Sequence, residues 1–283
     1  MTPNDDRLLA RIVATLSTVP GVKGIALGGS RAQGTATASS DYDIGIYYDP
    51  EEPFAHGAMQ QAANTLGDLG TDRTVTAIGG WGEWIDGGGW LTIAGRKVDL
   101  LYSDLRKVER TIEECRAGRI TVAYQPGHPH AFVSASLAGQ VAYCQPLWDP
   151  EGAIARLKAQ AEPYPSALRQ ALIERFGWEA DFALQNAQKA LDRGDVAYVA
   201  GCCYRSVACS VQVLFALNAR YLLNEKGALA QAGALPIRLG GLKIRADGAF
   251  RAIGAGDLAG AIDQLRVVVV GTADLVRQNQ GRA

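Results

Sequence analysis

The stretch Gly28-Gly29-Ser30-Arg31-Ala32-Gln33-Gly34, then Ser40-Asp41-Tyr42-Asp43, decides how this 283-residue chain reads. The apolar run Val22–Leu27 precedes it and a second apolar run, residues 44–48, follows it, so both flanks read as buried strands. Side chains two apart on a strand share a face. Asp41 and Asp43 therefore present two carboxylates side by side at the start of the second strand. Like charges that close repel each other and raise one pKa unless a cation lies between them. Carboxylate oxygens suit the hard ion magnesium, which binds through one or two carboxylates together with substrate phosphates. The Gly-Gly-Ser turn upstream offers backbone N–H groups and a hydroxyl, the donors that hold phosphate oxygens. One short segment thus carries a phosphate cradle and a metal seat.

This arrangement resembles the nucleotidyltransferase superfamily typified by DNA polymerase β. Its signature, Gly-Gly-Ser, a Gly four residues after the Ser, and Asp-x-Asp on the next strand, matches Gly28, Gly29, Ser30, Gly34, Asp41 and Asp43. The family adds a third carboxylate on a neighbouring strand, and Asp99 in Arg96-Lys97-Val98-Asp99-Leu100-Leu101-Tyr102 fits that place. The resemblance covers about the first third of the chain. It implies transfer of a nucleoside monophosphate from an NTP, with ATP expected, to a hydroxyl with release of pyrophosphate. Two magnesium ions would be bound by Asp41, Asp43 and Asp99, with Asp99 as general base and Gly28, Gly29, Ser30 and Gly34 around the phosphates. Related antibiotic enzymes take a further lysine from a helical domain. Lys226 in Asn224-Glu225-Lys226-Gly227, read as a helix end, is the candidate, and Lys189 the alternative.

Two other readings of the glycine turn were weighed. Gly28-Gly29-Ser30-Arg31-Ala32 has nearly the spacing of an α/β-hydrolase nucleophile elbow, with Asp99 and His128 or His130 in the right chain order. Ala32 replaces the final Gly, no His-Gly-Gly-Gly segment precedes it, and Asp41 and Asp43 are left without a role. No Walker lysine is present, which excludes a P-loop ATPase.

Outward from this centre, the chain reads as an α/β domain followed by a helical one. Helices are expected over residues 5–19, 53–66 and 104–117, with Ser103 as N-cap of the last. Strands are expected over residues 74–78 and 120–124, with a hairpin over residues 90–94 and 97–102. The character changes near Pro146-Leu147-Trp148-Asp149-Pro150. Beyond it, residues 151–161, 165–192, 196–223 and 258–278 read as helices, two of them capped by Asp195 and Asp257. The expected architecture is an α/β (α+β) domain with a small mixed sheet over residues 1–146, plus an all-α bundle over 147–283 that completes the substrate cleft. The antibiotic nucleotidyltransferases acting on aminoglycosides and lincosamides share that layout, which implies a small hydroxylated acceptor.

Composition bounds the rest. The net charge of -1 lacks the basic footprint of a nucleic-acid binder. No uninterrupted apolar run is long enough to span a bilayer, and the polar start of the chain lacks a leader pattern. Five scattered cysteines read as reduced thiols of a cytoplasmic protein, either monomer or homodimer. Trp81, Trp84 and Trp90 stand in a Gly-rich loop with Glu83 and Asp86. They are read as stacking on a nucleobase or an acceptor ring, or else as a plug in an interdomain seam. Arg31, Glu179 and Glu225 read as solvated surface residues. Nucleotide transfer to a protein or a tRNA, and a non-catalytic nucleotide-binding module, remain the alternative functions.

Overall fold

The structure is a computed structural model that describes residues 3–279. The chain forms two compact units. The first comprises Met1–Glu113, Ala123–Gly127 and Leu137–Pro163; the second comprises Glu114–Val122, His128–Ser136 and Tyr164–Ala283.

The first unit opens with helix α1 (Pro3–Leu16), strand β1 (Val22–Leu27) and the single helical turn α2 (Gly29–Ala32). Strand β2 (Tyr42–Tyr48), helix α3 (His56–Leu66), strands β3 (Gly88–Ile93) and β4 (Arg96–Asp104), and helix α4 (Leu105–Arg116) follow. After the two-residue pair β5 (Val122–Ala123) and β6 (Phe132–Val133) come helix α5 (Ala135–Tyr143), strand β7 (Gln145–Trp148) and helix α6 (Ala153–Ala161). The main sheet has the order β3-β4-β2-β1-β7, and β2 and β4 are its parallel pair. Ile44 and Ile46 of β2, Val98, Leu100 and Tyr102 of β4, and Leu91 and Ile93 of β3 alternate onto one face, where Leu8, Ile12 and Leu16 of α1 and Met59 and Leu66 of α3 complete a buried core. The period-two burial fixes which residues turn to the other face, because a one-residue slip would expose that whole set.

Several sequence expectations are corrected. Residues 74–78 contribute one isolated bridge, Val75 to Gly89, in place of a strand. Asp104, not Ser103, caps α4, its Oδ1 accepting from the N–H of Arg106 at 2.8 Å and of Lys107 at 3.0 Å. The strand expected over 120–124 shrinks to β5. Helix α5 and strand β7 were not anticipated; β7 pairs with β1, so the change of character at 146/147 falls inside a strand, and the compact unit continues to Pro163.

The second unit is helical. It contains α7 (Ser166–Lys189), α8 (Val196–Leu217), α9 (Ala228–Ala234), α10 (Leu242–Gly254) and α11 (Leu258–Asn279). Helix α8 ends six residues earlier than expected, and α9 and α10 fill the interval that carried no periodic signal. Asp195 and Asp257 cap α8 and α11 as expected, accepting from Tyr198 N at 3.0 Å and Gly260 N at 2.9 Å. By length and composition alone, α8 could cross a membrane, although no single uninterrupted run suggested it. Its second half is buried from Ser206 to Leu217, and it packs on α7 and α11.

Two half-buried acid–base groups contribute to the acid response of this unit. Burial lowers the His130 imidazole below its ordinary 6.5, the Arg205 charge adds to this, and the Glu179 and Glu225 carboxylates oppose it. Burial pushes the Glu225 carboxyl up, but hydrogen bonds from the His128 side chain and from the backbone outweigh that and hold it below its ordinary 4.5. Both groups bind fewer protons folded than unfolded, so both make stability rise with pH. The His130 contribution is complete above its unfolded value and is lost as pH falls below it; that of Glu225 is lost at lower pH still. The melting temperature is expected to fall from pH 7.5 to 5.5, and His130→Gln should flatten that slope. Parallel melting profiles for variant and wild type would refute the assignment.

Candidate active site

The first unit gathers the glycine turn and the carboxylates at one end of its parallel strand pair. Gly28 is extended (φ -113°) and its N–H donates to the Asp43 carbonyl at 2.7 Å, joining the end of β1 to β2. This is backbone that any residue adopts, so the left-handed residue of the Gly-Gly-Ser turn is Gly29 and not Gly28. Gly29 has φ +60°, and a Cβ there would lie 1.8 Å from Asp43 Oδ2. Only glycine meets both constraints, and its backbone abuts the Asp43 carboxylate. Ser30 follows in α2, half-buried. Gly34 (φ +71°) closes the turn in the left-handed region, with open space beside it.

Asp41 stands one residue before β2, and Asp43 is the second residue within it. Both are half-buried, while Tyr42 between them faces the core. Asp43 is the register partner of Asp99 on β4, and Asp99 is the register partner of Trp90 on β3. Residues paired in register point to the same face. Asp43, Asp99 and Trp90 are therefore a row across three strands, on the face opposite the core, with Gly28 joined to Asp43 at its end. Asp43 and Asp99 share this face and Asp41 stands just before β2; oxygen donors of this kind are those that magnesium takes.

Arg31 departs from the solvated position expected of it. Its Nε donates to the Asp41 carbonyl at 3.1 Å and its Nη2 to the Ser40 carbonyl at 2.6 Å, and the guanidinium lies 3.7 Å over the Tyr42 ring. It is a strap that fixes the backbone carrying Asp41. Tyr42 in turn donates its hydroxyl to Asp5 of α1.

The loop containing Trp81 is anchored by residues that sequence reasoning passed over. Buried Asp86 accepts from Tyr48 Oη and Asp104 N, both at 3.1 Å, and pairs with Lys107. Lys107 Nζ also donates to the Glu83 carbonyl at 2.7 Å. Gln125 donates to the Trp81 carbonyl at 2.8 Å and accepts from Trp84 N at 3.3 Å. The acid in a Gly-rich loop was the available signal for Asp86; nothing in the pattern marked Gln125.

Other candidates belong to the second unit. Lys226 is exposed on the turn before α9, its N–H held by Asn224 Oδ1 at 2.7 Å, and not at the end of α8. Lys189 is exposed in the last turn of α7. Glu179 and Glu225, expected on solvated faces, are both engaged, Glu179 in ion pairs and Glu225 in hydrogen bonds. Glu179 is buried and bound by Arg205 at 2.5 Å and Arg175 at 3.4 Å; Glu225 is bound by His128 Nδ1 at 3.1 Å and by the N–H of His130 at 3.2 Å. The i,i+4 spacing of Arg175 and Glu179 was legible; the Arg205 partner on another helix was not. Donor atoms of His130, Glu179 and Cys209 lie within 4.8 Å of one another. Nitrogen and sulfur donors are softer than magnesium prefers, and the two arginines already neutralise Glu179. Burial holds the Cys209 thiol far above its ordinary value.

Comparison with known proteins follows this geometry. Residues 7–124 match the nucleotidyltransferase domain family, and residues 133–226 match a domain of unknown function, DUF4037. No curated protein matches the chain. Among solved structures, it is similar to a nucleotidyltransferase-like protein from Exiguobacterium sibiricum 255-15, with 9% identity and a TM-score of 0.44 over 98% of this chain and 78% of that one. The first of the two family matches spans the glycine turn, the Asp-x-Asp pair and Asp99. Residues 7–124 are thus similar to a nucleotidyltransferase domain and residues 133–226 to a domain of unknown function, and the chain is a transferase.

Proposed function

We propose that this enzyme transfers a nucleoside monophosphate from an NTP, with ATP the first choice, to a hydroxyl of a small molecule of the aminoglycoside or lincosamide kind. The observation that carries the reading is the in-register pairing of Asp43 with Asp99 beside the left-handed Gly29. The Gly29 N–H and the Ser30 hydroxyl donate to the β- and γ-phosphates. Asp41, Asp43 and Asp99 would hold two magnesium ions, which when bound would neutralise phosphate charge and acidify the acceptor hydroxyl. Asp99 receives the hydroxyl proton. The acceptor oxygen forms its bond to the α-phosphorus as the bond from that phosphorus to the bridging oxygen breaks, and the electron pair leaves with pyrophosphate. Arg31 acts indirectly, by positioning Asp41. The five cysteines are free thiols, in keeping with a cytoplasmic setting.

Asp43→Asn and Asp99→Asn should each lower acceptor-dependent pyrophosphate release by at least about 10²-fold, the scale of one transition-state contact. Melting profiles of both variants check that each remains folded. Pyrophosphate assays over the four NTPs, with mass spectrometry of the acceptors, test this; turnover retained in both variants would sink the mechanism. Gly29→Ala and Gly34→Ala separate strain from displacement. Each should cost about 1–2 kcal/mol of stability from left-handed backbone. Only Gly29→Ala should also abolish magnesium-dependent NTP binding, since its Cβ meets the Asp43 carboxylate. Equal binding losses in the two variants, by titration calorimetry, would contradict that account.

A further inference from the structure

Trp90 is 64% exposed although it stands in register beside Asp99. An indole left open to water forgoes a large hydrophobic gain, and such a residue in the middle of a paired strand calls for a reason. Trp81 stacks on it, with ring centroids 4.6 Å apart and planes inclined by 22°. The stack is built in. Gly88 has φ +156°, and a Cβ on it would lie 1.7 Å from the Leu100 carbonyl oxygen, which glycine alone avoids, and 3.0 Å from Trp81 Cη2, so the Trp81 ring closes tightly over this glycine. The segment bearing Trp81 is held by Gln125, Lys107 and buried Asp86, as described above. The result is a rigid aromatic platform with an open side, one strand spacing, about 5 Å, from Asp99.

We infer that the Trp81–Trp90 stack is the acceptor subsite, and that it takes a saturated ring bearing hydroxyl and amino groups. This rests on the nucleotidyl-transfer reading above. In phosphoryl displacement the attacking and leaving oxygens are in line through the phosphorus. Pyrophosphate leaves toward Gly29 and Ser30, at one end of the row. The attacking hydroxyl therefore arrives from the other end, over Asp99 and from the direction of Trp90. The nucleoside is joined to the α-phosphorus through an equatorial oxygen, so it departs sideways from this line, and the line itself is left to the acceptor. An indole face is apolar and carries a negative quadrupole. It suits the C–H face of a sugar or aminocyclitol and attracts ammonium groups, which the neighbouring carboxylates also favour.

The test uses the full chain with magnesium and AMP-CPP, a non-hydrolysable ATP analogue. Kanamycin A, lincomycin, methyl α-D-glucopyranoside and myo-inositol serve as ring probes, read by saturation-transfer NMR and tryptophan emission. At least one ring probe should bind the wild type. Trp90→Ala and Trp81→Ala should weaken it about tenfold, Trp90→Phe should restore most of the affinity, and AMP-CPP affinity should stay within about twofold throughout. A parallel loss of AMP-CPP affinity in Trp90→Ala would overturn the inference in favour of a base-stacking site. Ring probes that bind every variant equally, or silence across the panel while AMP-CPP binds, would overturn it as well. AMP-CPP failing to bind the wild type would overturn the nucleotidyl-transfer reading itself and the inference with it.

Discussion

The parallel pairing of β2 with β4 is the constraint on which the rest of the first unit depends. It sets Asp43 and Asp99 in one register, which gathers two carboxylates on one face of the sheet. That register is held from behind. Ile44, Ile46, Val98 and Leu100 are fully buried against α1 and α3, and a slip by one residue would turn the carboxylates into the core and the isoleucines out. The apolar packing on one face and the charge gathered on the other are therefore a single specification.

Around that pair, small devices fix the remaining geometry. The Gly28 N–H ties the end of β1 to the Asp43 carbonyl. Arg31 uses its guanidinium on the carbonyls of Ser40 and Asp41 and on the Tyr42 ring. Tyr42 reaches Asp5 of α1. Charged hydrogen bonds of this kind are stronger than neutral ones. They make a long exposed connection, residues 33–39, begin and end at fixed points.

Much of this was legible in the sequence, and the reasons are physical. The strands flanking the glycine turn are short apolar runs, so local pattern placed β1, β2 and β4, and with them the positions of Asp41, Asp43 and Asp99 in the sheet. Asp195 and Asp257 announced two helices because capping is a local interaction. What escaped was set by distant partners. Arg31 reads as a solvated residue until Ser40 and Asp41 are brought to it. Glu179 and Glu225 read the same way until Arg205 and His128 meet them. Strand β7 carries a proline and half-exposed residues, and it exists because β1 offers an open edge. Helices α9 and α10 lie among glycines with little apolar periodicity, and their identity comes from packing on α8 and α11.

The path of the chain between the two units has a consequence of its own. It passes from one to the other at 113/114, 122/123, 127/128, 136/137 and 163/164. The segment matching the nucleotidyltransferase domain, residues 7–124, therefore stops before β7 and α6. Cut out alone, it would leave β1 as a bare sheet edge, open to pairing with other chains. It would also lose the α6 side chain Ile154, which sits over Gly24. The inherited family segment and the folding unit are different lengths of chain, and the enzyme cannot be divided into its two halves by a single break.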